Sequence, residues 1–143
     1  VLEAAAHLAP QLHCVSAHPQ HQHLVAAGAS DGALYLWDDR LLRAPAVCLP
    51  ASGRERAHGA DVWGLQLCDA NNYGDLLSCS SDGTLQAWPL PRILVDNAQG
   101  VPSREQRTLV QLHMPINSLD YSADLGMLIA ASDAEMLTCI DMR

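Results

Sequence analysis

Phenylalanine is absent from this chain, and aromatic residues make up only 4 % of it. Bulky packing therefore falls to three Trp and three Tyr, so their positions are informative. Cations are scarce too: 8 basic residues stand against 16 acids, for a net charge of −8 and a pI near 5.1. The arginines thicken at Arg40, Arg43, Arg54 and Arg56 and again at Arg92, Arg104 and Arg107, but acids interrupt both sets. Phosphate recognition needs clustered cations, so direct contact with nucleic acid or with an anionic membrane is not expected. No apolar run approaches the ~20 residues that span a bilayer as a helix, so no membrane insertion is expected. The opening VLEAAAHLAP has neither a charged n-region nor an initiator Met. It is not expected to be a signal peptide, and the chain reads as a fragment.

What is present is apolar and regular. Hydrophobic residues make up 49 %, which argues against disorder. Cys14, Cys68, Cys79 and Cys139 fall in predicted strands, and Cys48 in a looser one. Strand cysteines behave as small buried hydrophobes, and an odd total of five points to a reducing, intracellular compartment.

The chain repeats itself at an offset of 51 residues: Ser30-Asp31-Gly32, Ser81-Asp82-Gly83 and Ser132-Asp133-Ala134. The same offset of 51 relates Trp37 to Trp88 and His7 to His58. Each unit reads as short strands broken by Asp, Gly, Asn and Pro. The first holds strands over 12–16, 23–29 and 33–38; the second over 61–67, 76–80 and 84–88; the third over 116–121, 127–132 and 136–141. Weaker outer strands are expected over 46–49 and 108–112. Asp31-Gly32 and Asp82-Gly83 predict tight primed hairpin turns. Asp133-Ala134-Glu135 lacks the glycine and predicts a three-residue loop. Residues 89–107, with three prolines, read as a surface insertion.

Tandem units of four short strands, with Trp-Asp closing the third, resemble the WD-repeat β-propeller family. The dipeptide is complete in Trp37-Asp38, becomes Trp88-Pro89 in the second unit and Ile140-Asp141 in the third. The resemblance implies an all-β fold: about three four-stranded blades spanning 1–143, at approximately 7–56, 57–112 and 113–143. Since typical propellers have four to eight blades, this is a partial propeller; the family implies a seven-bladed whole.

The resemblance also implies a buried hydrogen-bonded chain in each blade, from a His through a strand hydroxyl and the turn Asp to the Trp. In the second unit it maps to His58, Ser80, Asp82 and Trp88, beside the turn residue Gly83, with Ser78 as the alternative hydroxyl. In the first it maps to His7, Asp31 and Trp37, beside Gly32, with Ala27 and Ala29 offering no hydroxyl. In the third it maps to Asp133 and His113, with no Trp. A catalytic His-Ser-Asp set needs an exposed nucleophile, whereas these residues recur with the structural period. No enzyme is expected, and no cofactor.

Two further clusters invite a function. His13, Cys14, His18, His21 and His23 are metal-ligand types, but adjacent strand residues point to opposite faces and no paired Cys-x-x-Cys is present. A polar loop is expected there, not a metal site. Asp38 and Arg40, matched by Asp141 and Arg143, resemble the Trp-Asp-x-Arg motif by which WD-repeat substrate receptors dock on the adaptor of cullin-4 ubiquitin ligases. The plainer reading is a turn cap and a solvated ion pair.

Several segments, notably INSLDY and LIAASDAEMLTCID, also resemble WD-repeat nucleoporins of the Y-shaped outer-ring complex. That implies a non-enzymatic scaffold at the nuclear envelope. It would contact other outer-ring nucleoporins in the nuclear pore complex and support nucleocytoplasmic transport. The alternative is a substrate receptor of a cullin-4 ligase.

Overall fold

The computed structural model describes residues 10–38, 40, 47–49, 56–69, 75–90 and 106–143. His7 and most of the 89–107 insertion lie outside the described residues. The chain is all-β, built from three antiparallel sheets in chain order. The first holds β1 (Leu12–Ala17), β2 (Leu24–Ala29), β3 (Leu34–Asp38) and β4 (Val47–Leu49). The second holds β5 (Val62–Cys68), β6 (Asp75–Ser80), β7 (Thr84–Pro89) and β8 (Arg107–Gln111). The third holds β9 (Ile116–Ser122), β10 (Met127–Ser132) and β11 (Met136–Asp141). It has three strands among the described residues, at the places expected over 116–141.

Each sheet is a meander with its first strand at one edge, and these first strands neighbour one another: β1 contacts β5, and β5 contacts β9. That is the arrangement of propeller blades around an axis. Strand alternation gives every blade two apolar faces, and each junction buries one face from either side. Between the first and second blades lie Ala26, Leu34, Leu36, Val62, Leu67, Leu76 and Trp88. Between the second and third lie Leu77, Cys79, Leu85, Ile116, Leu128 and Ala130. A fully buried leucine contributes about 2 kcal/mol, so the two junctions are the main source of stability.

Polar ties fix how the blades stack. Ser16 Oγ accepts from Leu67 N at 3.0 Å. At the equivalent place in the second blade, Gln66 Oε1 accepts from Tyr121 N at 2.7 Å and Gln66 Nε2 donates to Tyr121 O at 3.3 Å. The hairpin turns of the first and second blades are each tied to the start of the next repeat: His58 N donates to Gly32 O (3.0 Å) and Leu112 N to Gly83 O (2.8 Å). Both glycines have φ +80°, and an added Cβ would lie 2.1 Å from His58 O and 2.2 Å from Leu112 O. Only glycine fits where the turn needs this φ and a neighbouring backbone comes so close.

These turns are not the primed two-residue turns expected. Ala29 N bonds to Ala33 O and Gly32 N to Ala29 O, so Ser30-Asp31-Gly32 is a three-residue loop. Asp31 and Asp82 keep negative φ. Their carboxylates accept from the backbone N–H two residues on, Ala33 (3.1 Å) and Thr84 (2.8 Å), which favours this turn over the primed one. The third blade uses the same loop length with a slip of one residue. Ser132 pairs with both Ile116 and Met136, as Ser80 pairs with Val62. Its loop is therefore Asp133-Ala134-Glu135, and Glu135 takes the glycine's place at φ 57°.

Candidate functional site

The densest polar cluster lies at the junction of the first two blades, on the face of the second blade that carries Trp88. Cross-strand pairing sets Leu76 opposite Trp88 and Ser78 opposite Gln86, so these side chains share that face. Trp88 Nε1–H donates to Ser78 Oγ at 3.0 Å. Ser78 Oγ stands 2.7 Å from His58 Nε2. His58 Nδ1 stands 2.8 Å from Thr84 Oγ1. Thr84 Oγ1 in turn donates to Asp82 Oδ1 at 2.6 Å.

The chain of donors has one consistent direction. Thr84 spends its proton on a carboxylate that can only accept, so it offers His58 Nδ1 a lone pair. Nδ1 is then the protonated nitrogen, and Nε2 accepts the Ser78 hydroxyl proton while Ser78 accepts the indole N–H. Neutral His58 satisfies every member. Burial pushes the His58 pKa below its usual 6.5, against the opposing pull of Asp82. For Asp82, burial acts to raise the pKa, but hydrogen bonds from the Thr84 hydroxyl, Gly59 N–H and Thr84 N–H outweigh it and the pKa is lowered.

The structure thus corrects the expected hydroxyl. Ser78, not Ser80, joins His58 to Trp88, because it sits two residues further from the turn, level with the imidazole. Ser80 Oγ instead donates to Ala60 O (3.1 Å) and accepts from Asp82 N (3.1 Å), closing the turn. Thr84 is a member that the sequence reading missed. Its signal is its position two residues after a turn Asp, where an Asx cap places it. Ser78 and His58 are fully enclosed, so neither offers a nucleophile to a substrate.

The first and third blades lack this cluster. In the first, Ala27 holds the slot of Ser78, and the buried Trp37 Nε1 has no hydrogen-bond partner among the described residues. Trp37 does not lie between the described blades. It lines a cleft of about 210 Å³ with Val15, Val25 and Ala27 on the face away from the second blade, where strand alternation places it. In the third, Ala130 and Ile140 replace the serine and the tryptophan. Leu112, not His113, takes the place of His58, since it is Leu112 N that bonds to the preceding turn; His113 is exposed. The one-residue slip moves Asp133 out of the network position into that of Ser81, where its carboxylate meets Asn117.

The Asp-x-Arg pairs form two equivalent forks. Arg40 binds Asp38 through Nε (2.7 Å) and Nη2, and Arg40 N bonds to the same carboxylate (3.0 Å). Arg143 repeats this on Asp141 through Nε (3.0 Å), Nη2 (2.8 Å) and N (3.0 Å). The arginine in each pair holds the aspartate pKa down to about 2. Asp38 and Asp141 occupy the same slot, opposite Leu24 and Met127, and Pro89 stands there in the second blade.

The histidine-rich segment folds on itself. His18 is buried, and its Nδ1 accepts from Gln20 N and His21 N, both at 3.1 Å. His13 and Cys14 diverge: His13 Nε2 meets Asp61 Oδ1 (3.1 Å), while Cys14 Sγ donates to Val62 O (3.4 Å). Among the described residues no three metal-ligating side chains gather at one point. Burial pushes the Cys14 thiol up to about 11 and the Cys79 thiol up to about 12, which keeps both protonated.

The profile of the WD domain, G-beta repeat family matches residues 2–38 and 52–89, together more than half of the chain. The chain belongs to the WD-repeat family. Nucleoporin Nup43 of Mus musculus and of Homo sapiens are each 40 % identical to it over 77 residues, 54 % of this chain and 18 % of theirs. The nuclear pore complex protein nup43 of Dictyostelium discoideum is 27 % identical over 139 residues, 86 % of this chain and 31 % of its own length. A ribosome biogenesis protein WDR12 homolog of Chlamydomonas reinhardtii is 35 % identical over 78 residues, 54 % of this chain and 17 % of its own. The matched stretches thus cover less than a third of each of these relatives.

Proposed function

We propose that this WD-repeat chain is part of a non-enzymatic scaffold of the nuclear pore outer ring, where it contacts other outer-ring nucleoporins and supports nucleocytoplasmic transport. The observation that carries the reading is the 40 % identity to Nup43, joined by the Dictyostelium nup43 match across most of the chain. The architecture supports it: rigid blades present loops and strand edges, and the buried polar set serves packing, not chemistry. On this reading the blades run approximately over 7–56, 57–112 and 113–143 and belong to a larger, seven-bladed ring. Purification of the tagged protein from nuclear envelopes tests it. Outer-ring nucleoporins should co-purify and the protein should mark the nuclear rim; their absence from both would refute the reading.

A second reading, a cullin-4 ligase receptor, rests on the two Asp-x-Arg forks. Each holds an exposed guanidinium in one orientation, which suits a docking handle. The same purification reads it. Recovery of the ligase adaptor, lost on Arg40→Ala with Arg143→Ala, supports this alternative.

A further inference from the structure

The second blade is flanked on both sides, so whatever it leaves exposed is not the consequence of an open end. Trp63 is such a residue: it is 43 % exposed although its blade is sandwiched. The three innermost strands each break register at one point, at His13, at Trp63 and near Asn117. A bulge re-aims its side chain away from the sheet faces, which is how a Trp on a buried strand reaches solvent. Trp63 is also held still. Its Nε1–H donates to Ser81 Oγ at 2.7 Å, and the His13 ring lies 4.3 Å away, tilted 31°.

The charge beside this indole is negative. Asp61, two residues before Trp63, is 41 % exposed and touches Nε2 of His13, the ring that lies against the indole. Asp133 stands at the turn of the next blade, on Asn117. Of the described arginines, Arg40 and Arg143 are engaged in their forks and Arg56 on Asp31 at 2.9 Å, while Arg107 lies on β8, at the opposite edge of the sheet from β5. The chain contains no lysine. A rigid, exposed aromatic ring flanked by a half-exposed carboxylate suits a planar cation, which stacks on the ring and forks onto the carboxylate.

We propose that Trp63 and Asp61 form a docking point for an arginine side chain of a partner protein. The proposal stands on the blade geometry alone and is independent of the nuclear pore reading. The test uses the full 143-residue chain, labelled with nitrogen-15, and follows its three indole N–H resonances. A blocked Gly-Ser-Arg-Ser-Gly peptide is titrated in, alongside the same peptide with citrulline in place of arginine. The Trp63 resonance, identified by its loss in Trp63→Phe, should move with the arginine peptide alone. Asp61→Asn should weaken the apparent affinity about threefold to fivefold, the worth of one exposed ion pair. Added salt should weaken it as well. Thermal melts of both variants establish that they remain folded. The proposal is overturned if the arginine peptide leaves the resonance unmoved, if the citrulline peptide moves it equally, or if Asp61→Asn binds as well as the parent.

Discussion

The second and third blades solve the same packing problem with opposite chemistry. The second fills its junction with Trp88, Ser78, His58, Thr84 and Asp82, each hydrogen-bonded to the next. The third puts Ile140, Ala130 and Leu112 in the places of Trp88, Ser78 and His58, and needs no polar partner. The first blade lies between the two. It keeps Trp37 but has Ala27, and a buried indole N–H is left unpaired among the described residues. A buried polar set is worth having complete or not at all, because an unpaired buried donor costs more than a made hydrogen bond returns.

The comparison breaks first at Ser78. Ser78→Ala makes the second blade resemble the first and strands both the Trp88 N–H and His58 Nε2. We expect a loss of about 3 kcal/mol in denaturant unfolding. Adding Trp88→Phe should then cost at least about 1 kcal/mol less than the same change in the parent, because the pair is coupled. Independent, additive losses would mean that the serine and the indole do not act together.

Acid attacks the same place. His58 has its pKa lowered by burial, so the folded state prefers the neutral ring. Its contribution is complete above the unfolded value of 6.5 and is lost as pH falls from there toward the lowered folded value. In that window stability should drop by at most about 1.4 kcal/mol per pH unit. Asp82, also lowered, adds a second loss only at lower pH, near and below its usual 3.8. His58→Gln should flatten the upper window of a stability-versus-pH curve and spare the lower one.

Smaller effects sharpen the comparison from the other side. Ala27→Ser supplies the first blade with its missing hydroxyl, next to the cleft that Trp37 lines. A gain of about 1 kcal/mol is expected, the net worth of a typical hydrogen bond. Glu135→Gly restores the third blade's turn to the glycine of the other two. It should stabilise by up to about 1 kcal/mol by relieving a positive φ, read as a shift in the unfolding midpoint.

Much of this was legible before any coordinates. The 51-residue offset marks three blades because strands and loops of matching length must stack face to face. Trp37 and Trp88 fix the third strands, and Asp31 and Asp82 the turns. What misled was local. Ser132-Asp133 copies the letters of Ser81-Asp82, yet β10 pairs one residue further, and letters do not reveal register. Ser78 and Ser80 share a face, so alternation alone could not choose between them; the height of His58 did. Thr84 joins through an Asx turn, which sequence spacing hints at but does not show. Trp63 looked like an ordinary strand residue, because a bulge is not visible in an alternating pattern.

The claim that the second blade holds a complete network around a neutral His58 is tested most directly by nitrogen-15 NMR of the His58 ring. The account predicts the Nδ1–H tautomer with Nε2 unprotonated at pH 7, still neutral below pH 6.5, and its Nε2 signal altered by Ser78→Ala. An Nε2–H tautomer, or an imidazolium already formed at pH 7, would contradict it.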